Sequence, residues 1–172
     1  MEATLRGQHP GRPGPPEALK GDVIELEGEE MRIMHVGQGD ADHSTVVWIP
    51  SLRAVVTGDV TYNGAHVWTA ETDADARKRW HRSLDAIKEL RPLTVVAGHK
   101  VPGRDDNAGV IDDTRKYLLD FDAARARARN ADELISAMST RYPDRALPVI
   151  LEIGAKAAFG TSLTAPVLER TR

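Results

Sequence analysis

At 172 residues with 41% hydrophobic content, the chain is long enough to bury one core and gives little room for a second domain. Lys and Arg number 23 against 26 Asp and Glu, a formal net charge of -3, so there is no basic field for a phosphate backbone and nucleic acid is not an expected partner. With no cysteine, disulfides and thiolate metal sites are excluded, and any metal would need imidazole, carboxylate, amide or water ligands.

No stretch approaches the ~20 apolar residues of a membrane-spanning helix, and no apolar signal segment follows Met1. A cytoplasmic location without membrane contact is expected. Residues 7–16, GQHPGRPGPP, cannot hold a helix or a central strand, because each proline removes a backbone donor and fixes φ. Residues 1–20 therefore read as an extended lead-in, 21–160 as the domain and 161–172 as a tail.

Within the domain, DVIELEG (22–28) and EEMRIMHVG (29–37) form two short apolar runs around Gly28-Glu29 and predict a hairpin. STVVWIP (44–50) and RAVVTGD (53–59) form a second pair across Ser51-Leu52. Here Val46 and Trp48 lie on one face and Thr45, Val47 and Ile49 on the other; the loss of alternation predicts central strands covered on both sides. Thr72 as N-cap with Asp75 three residues on opens a helix carrying Ala76, Trp80, Leu84, Ile87 and Leu90, which should stop before Pro92. LTVVAGH (93–99) is a short buried strand ending at a histidine, followed by a polar loop over 102–107. Val110, Thr114, Tyr117, Leu118 and Phe121 mark a second helix, Asn130 and Glu133 open a third, and a fourth is expected over 149–158. Four strands, a helix, a strand and further helices predict an α/β or α+β domain with a mixed sheet. Gly37-Gln38-Gly39 lacks the third glycine and the following helix of a dinucleotide-binding turn.

Three polar points stand at the ends of apolar strands: the stretch from Gln38 to His43, then Asp59, then His99. Imidazole and carboxylate donors suit a divalent ion, and a carboxylate can bridge two. On spacing alone, the reading of Asp59 as a turn cap and His99 as a loop residue with a satisfied hydrogen bond is the stronger account.

The run VGQGDADHSTVVWIPSLRAVVTGDVTYNGAHVW (36–68), followed by RKRWHRSLDAIKELRPLTVVAGHK (77–100), resembles the later ligand motifs of the metallo-β-lactamase superfamily. In that family a Gly-His after a strand, a Gly-Asp after the next hairpin and a Gly-His after a helix and strand supply the third histidine, the bridging aspartate and the last histidine. By this resemblance Asp59 is the bridging aspartate, His99 the last histidine, and Gln38 occupies the third-histidine position, where its amide oxygen is a weaker donor than imidazole. His35 and His43 flank Gln38, and His43 is a candidate contact to substrate from its loop. Tyr62, Asn63 and His66 follow the aspartate, where the resemblance implies a substrate-binding rim.

The family's HxHxDH motif, which lies N-terminal to this region, is absent; the chain has no His-x-His pair, and His9 stands alone among prolines. What the resemblance implies is the C-terminal half of an αββα sandwich, a mixed sheet with helices on one face. In the intact family the activity is metal-assisted hydrolysis of an ester- or amide-type bond in a small molecule, with two divalent ions, zinc or another metal. This chain, short of ligands, is expected to be weakly active or inactive alone and to hold metal poorly or not at all. The alternative is a non-catalytic remnant or binding module that forms a homodimer, or docks on a complementing N-terminal half, through the sheet face left uncovered.

Overall fold

The computed structural model describes residues 18–160; most of the expected lead-in and all of the expected tail lie outside the described residues. Five strands form one sheet in the order β1 (Val23–Leu26), β2 (Glu29–Gly37), β3 (Ser44–Ile49), β4 (Ala54–Asn63) and β5 (Thr94–Lys100). The first four pair antiparallel and β5 joins β4 in parallel, which makes the sheet mixed as expected. Four helices accompany it: α1 (Ala74–Glu89), α2 (Gly109–Arg127), α3 (Ala131–Arg141) and α4 (Pro148–Ala158).

Local chemistry sets each junction. The β1–β2 turn falls on Glu27 and Gly28, one residue before the expected break, and both have positive φ, at 54° and 88°. That is the geometry whose twist matches an antiparallel hairpin. A short 3-10 turn over Pro50–Leu52 joins β3 to β4. Helix α1 starts one residue later than the sequence suggests. Its N-cap is Asp73, whose carboxylate accepts from the Ala76 N–H at 2.7 Å, while the Thr72 hydroxyl instead donates to the Thr69 carbonyl. Asn130 caps α3 by accepting from the Glu133 N–H, and Glu133 reaches back to the Arg129 N–H, a reciprocal arrangement that satisfies two otherwise orphaned donors.

The core lies between one face of the sheet and the helices. Val46, Val55 and Val95 face Trp80, Leu84 and Ile87 of α1 and Val110, Tyr117, Leu118 and Phe121 of α2 in one buried cluster. Trp80 is fully buried and its indole N–H donates to the Val60 carbonyl at 2.9 Å, so it both fills the core and pins α1 to β4. Buried Arg77 pairs with Asp122 at 2.7 Å and joins α1 to α2.

The opposite face of the sheet differs from the expectation of cover on both sides. Ile33, Val47, Val56 and Val96 are register partners in one row across β2, β3, β4 and β5. None belongs to the core cluster, and Val56 is 39% exposed. Both faces are apolar, as the sequence indicates, yet the helices cover only one.

Replacing Trp80 by Ala should cost about 3–5 kcal/mol, because it leaves a cavity and an orphaned carbonyl. Urea unfolding followed by far-UV circular dichroism checks this; a loss under about 1 kcal/mol would show that α1 is anchored elsewhere.

Candidate metal centre

Strand β4 runs past Asp59, where the sequence suggests an end, because an irregularity rather than a turn occurs there. Its register with β5 shifts on both sides of Gly58, which has a φ of 51°, and pairing resumes with Tyr62 opposite His99 and Asn63 opposite Lys100. The Tyr62 N–H finds its acceptor in the Thr114 hydroxyl of α2 at 3.0 Å, so a buried side chain from α2 substitutes for a ladder partner at the irregularity.

Asp59 and His99 meet at this end of the sheet. Asp59 Oδ1 lies 2.8 Å from His99 Nδ1, and both side chains are partly open to solvent, at 46% and 39%. An ionised carboxylate only accepts, so Nδ1–H donates, and the neutral ring then has its lone pair on Nε2. Among the described residues no hydrogen bond engages Nε2 of His99 or Oδ2 of Asp59. Gly98 makes the approach possible: a Cβ there would collide with Asp59 Oδ1 and come within 2.9 Å of the Gly58 carbonyl oxygen.

Tyr62 holds the imidazole from the side. Its ring stacks on His99 with centroids 5.1 Å apart and planes 9° from parallel, and it is fully buried. The Tyr62 hydroxyl donates to Asp40 Oδ2 at 3.2 Å; burial and the neighbouring Asp40 and Asp59 charges push its pKa far above the ordinary phenol value. Asp40 belongs to the loop after β2. Its carboxyl is raised above the usual carboxylate range, first by burial and then by the negative charge of Asp59.

Gln38 is almost fully buried in the same loop, but its carboxamide is engaged elsewhere. The amide nitrogen donates to the Gly39 carbonyl and the oxygen accepts from Arg79 of α1, both at 3.1 Å. His43 has a positive φ of 59° and an exposed ring whose Nε2 lies 3.7 Å from Asp42; exposed His35 lies 3.8 Å from Asp22. Asn63 is buried with its amide donating to the Asp105 carbonyl and its oxygen accepting from Arg104, both at 2.9 Å, which ties the end of β4 to the loop after β5.

His66 lies apart from these strand ends and is 2% exposed. Its Nδ1 is 2.9 Å from the Tyr117 hydroxyl, and burial, reinforced by the Arg145 charge, pushes its pKa down to about 4. The structure therefore brings Asp59, His99 and Tyr62 together and turns Gln38, His43, Asn63 and His66 to other partners. Asp40 is the member of the cluster that the sequence reading did not single out. A signal for it exists: Gly39-Asp40, Gly58-Asp59 and Gly98-His99 are three glycine-plus-donor pairs at strand ends or irregularities. Among the described residues no three His, Asp or Glu side chains converge as they stand into a site for an ion.

The structure is an α/β domain with a mixed sheet, helices on one face and an acid-imidazole pair where β4 and β5 run side by side. The sequence profile of the metallo-beta-lactamase superfamily matches residues 2–99, more than half of the 172-residue chain and including Asp40, Asp59 and His99. The chain belongs to that superfamily. Among solved structures it is similar to a metallo-beta-lactamase family protein from Thermus thermophilus, at 21% identity and a TM-score of 0.56 over 85% of this chain and 48% of that one. A metallo-beta-lactamase from Pontibacter korlensis matches at 17% identity and a TM-score of 0.49, over 58% of this chain and 46% of that one. The chain thus spans less than half the length of these structures, and the likeness is one of fold. No curated protein matches it.

The buried His66 gives stability a pH dependence of defined sign. The folded state keeps the ring neutral with a pKa near 4 against an ordinary value of 6.5, so the unfolded chain takes up the proton first as pH falls. The contribution is complete above pH 6.5 and declines from there to pH 4, by on the order of 3 kcal/mol. Urea midpoints at pH 7 and pH 5 for wild type and His66→Gln check it; an equal fall in both proteins would place the sensitivity in another group.

Proposed function

We propose that this chain is a metallohydrolase-type scaffold that contributes Asp59 and His99 to a divalent metal centre and has little or no hydrolytic activity alone. The observation that carries this reading is the Asp59–His99 pair, built over Gly98 with Oδ2 and Nε2 left available. The donors fit an ion in kind, since a carboxylate oxygen and a neutral imidazole suit zinc, manganese or iron. In number they fall short, because zinc sites take three or four protein ligands.

When bound, such an ion polarises a substrate carbonyl and lowers the pKa of a bound water toward neutrality. The chain's own part is positioning. The Asp59 carboxylate fixes the His99 tautomer through Nδ1–H, and the Tyr62 ring restricts rotation of the imidazole by stacking on it. The substrate class proposed is a small molecule with an ester- or amide-type bond, and the location proposed is cytoplasmic. No helix in the described residues is long and apolar enough to cross a membrane.

A second reading is favoured by the uncovered row Ile33, Val47, Val56 and Val96. A contiguous apolar sheet face tends to pair or aggregate. On this reading the chain is a non-catalytic module that dimerises, or docks on a complementing N-terminal half, through that face.

Two measurements test these readings. Purified chain given Zn²⁺ and p-nitrophenyl acetate should hydrolyse it no faster than the Asp59→Ala and His99→Ala variants; steady turnover lost in both variants, with stoichiometric metal by elemental analysis, would overturn the claim of inactivity. Light scattering coupled to size exclusion should find the chain dimeric or associated, and Val56→Asp, which places a charge on the row, should shift it to monomer. A monodisperse wild-type monomer would remove the second reading.

A further inference from the structure

The sheet face that the helices leave open carries its own charge pattern. The row from Ile33 to Val96 is flanked, two residues nearer the β1–β2 turn, by Ile24, Met31 and Ile49, which strand alternation places on the same side of the sheet. None of them belongs to the core cluster, and neither row contains a charged side chain. Charge sits instead at the two corners of one end. Strand β4 starts where β3 ends, which is the end that holds the β1–β2 turn, and β5 runs parallel to β4. Glu27 and Glu29 therefore stand at one corner, while Arg53 and Arg91, in the segments that lead into β4 and β5, stand at the other. The Arg53 guanidinium donates to the Arg91 carbonyl at 2.5 Å, which holds the basic corner together. Among the described residues none of these four side chains is in an ion pair, whereas neighbouring Glu30 pairs with Arg32. Each corner also shows leucine to solvent: Leu26 at the acidic one, Leu52 and Leu93 at the basic one, all more than half exposed.

We infer that the occupant of this face is a second copy of the chain, stacked face to face about a two-fold axis that runs along the strands between the two sheets. This rests on the second reading above, docking through the open face, and narrows it to one partner and one arrangement. Such an axis exchanges the two edges of the sheet and keeps its ends together. The Glu27–Glu29 corner of each copy then lies over the Arg53–Arg91 corner of the other, and the exposed leucines of the two corners meet. The uncharged rows stack on each other, with the helices of both copies outside. Aligned strands are also what stacked sheets favour, within about 30° of one another. A partner of different sequence would have to supply the apolar rows and both charges separately, whereas a second copy supplies all of them by symmetry.

The test is light scattering coupled to size exclusion on the full chain and on two charge-reversed variants, Glu27→Lys with Glu29→Lys and Arg53→Glu with Arg91→Glu, with circular dichroism melts to confirm folding. Wild type should run as a dimer. Each variant alone sets like charges against each other at both corners and should associate at least about tenfold more weakly. An equimolar mixture of the two variants restores opposite charges at both corners and should recover the dimer, which also shows that neither variant has lost its fold. If Val56→Asp dissociates the wild-type dimer but both charge-reversed variants stay dimeric, the two-fold arrangement is overturned and docking through the face stands. Association beyond the dimer overturns the arrangement as well, because a two-fold contact closes on itself. A wild-type monomer overturns both.

Discussion

The parallel pairing of β4 with β5 is the constraint on which the rest of the structure depends. Parallel neighbours cannot be joined by a tight turn, so the chain between them must cross over the sheet. Helix α1 makes that crossover, and its apolar side is committed to β4 through Trp80. Because both strands run the same way, their C-terminal ends fall at one edge, and Asp59 and His99 come within hydrogen-bond distance although 40 positions apart in the chain. An antiparallel partner would have carried the histidine to the far end. The irregularity at Gly58 completes the arrangement by freeing Asp59 from the alternation of the strand.

The same sheet has unequal faces. One holds the whole described core, with Trp80, Leu84 and Ile87 fully buried against it. The other offers an unbroken apolar row to its surroundings. Burial on a single face still allows a folded domain, but it leaves Val56 exposed and Val47 and Val96 half-buried, so part of their hydrophobic stabilisation is unrealised. Where this chain sits in its native setting therefore bears on its stability as much as on its chemistry.

The fold was legible because β-branched runs, the Asn130 cap and a proline stop each have a local cause. Val46–Val47 and Val55–Val56 make strands wherever they pack, and Pro92 ends α1 in any context. The site was legible at Asp59 and His99 for a related reason: each follows a glycine that the backbone needs. Other residues depended on partners distant in sequence. His66 looked like the rim of a pocket because it sits among aromatic and small residues, but its environment is supplied by Tyr117, 51 positions later. Gln38 matched the expected position along the chain, and only Arg79 of α1 reveals that its oxygen is engaged. Asp40 was hidden inside a polar loop in which any of several groups could have faced inward.

Arg145 has a consequence for how the molecule opens. Its guanidinium donates to the Ala65 carbonyl and to Asp113, both at 2.6 Å, and lies over the rings of Tyr117 and Tyr142. The backbone adds a bridge between Ala65 and Ala146. The segment between α3 and α4 is thereby fastened to the loop that leaves β4, across 80 positions of chain. Such a tie favours a single cooperative opening unit, in which slow exchange of amides in the last two helices rises and falls with that of the central strand. The helical end of the domain then serves as a brace for the sheet rather than as an appendage to it.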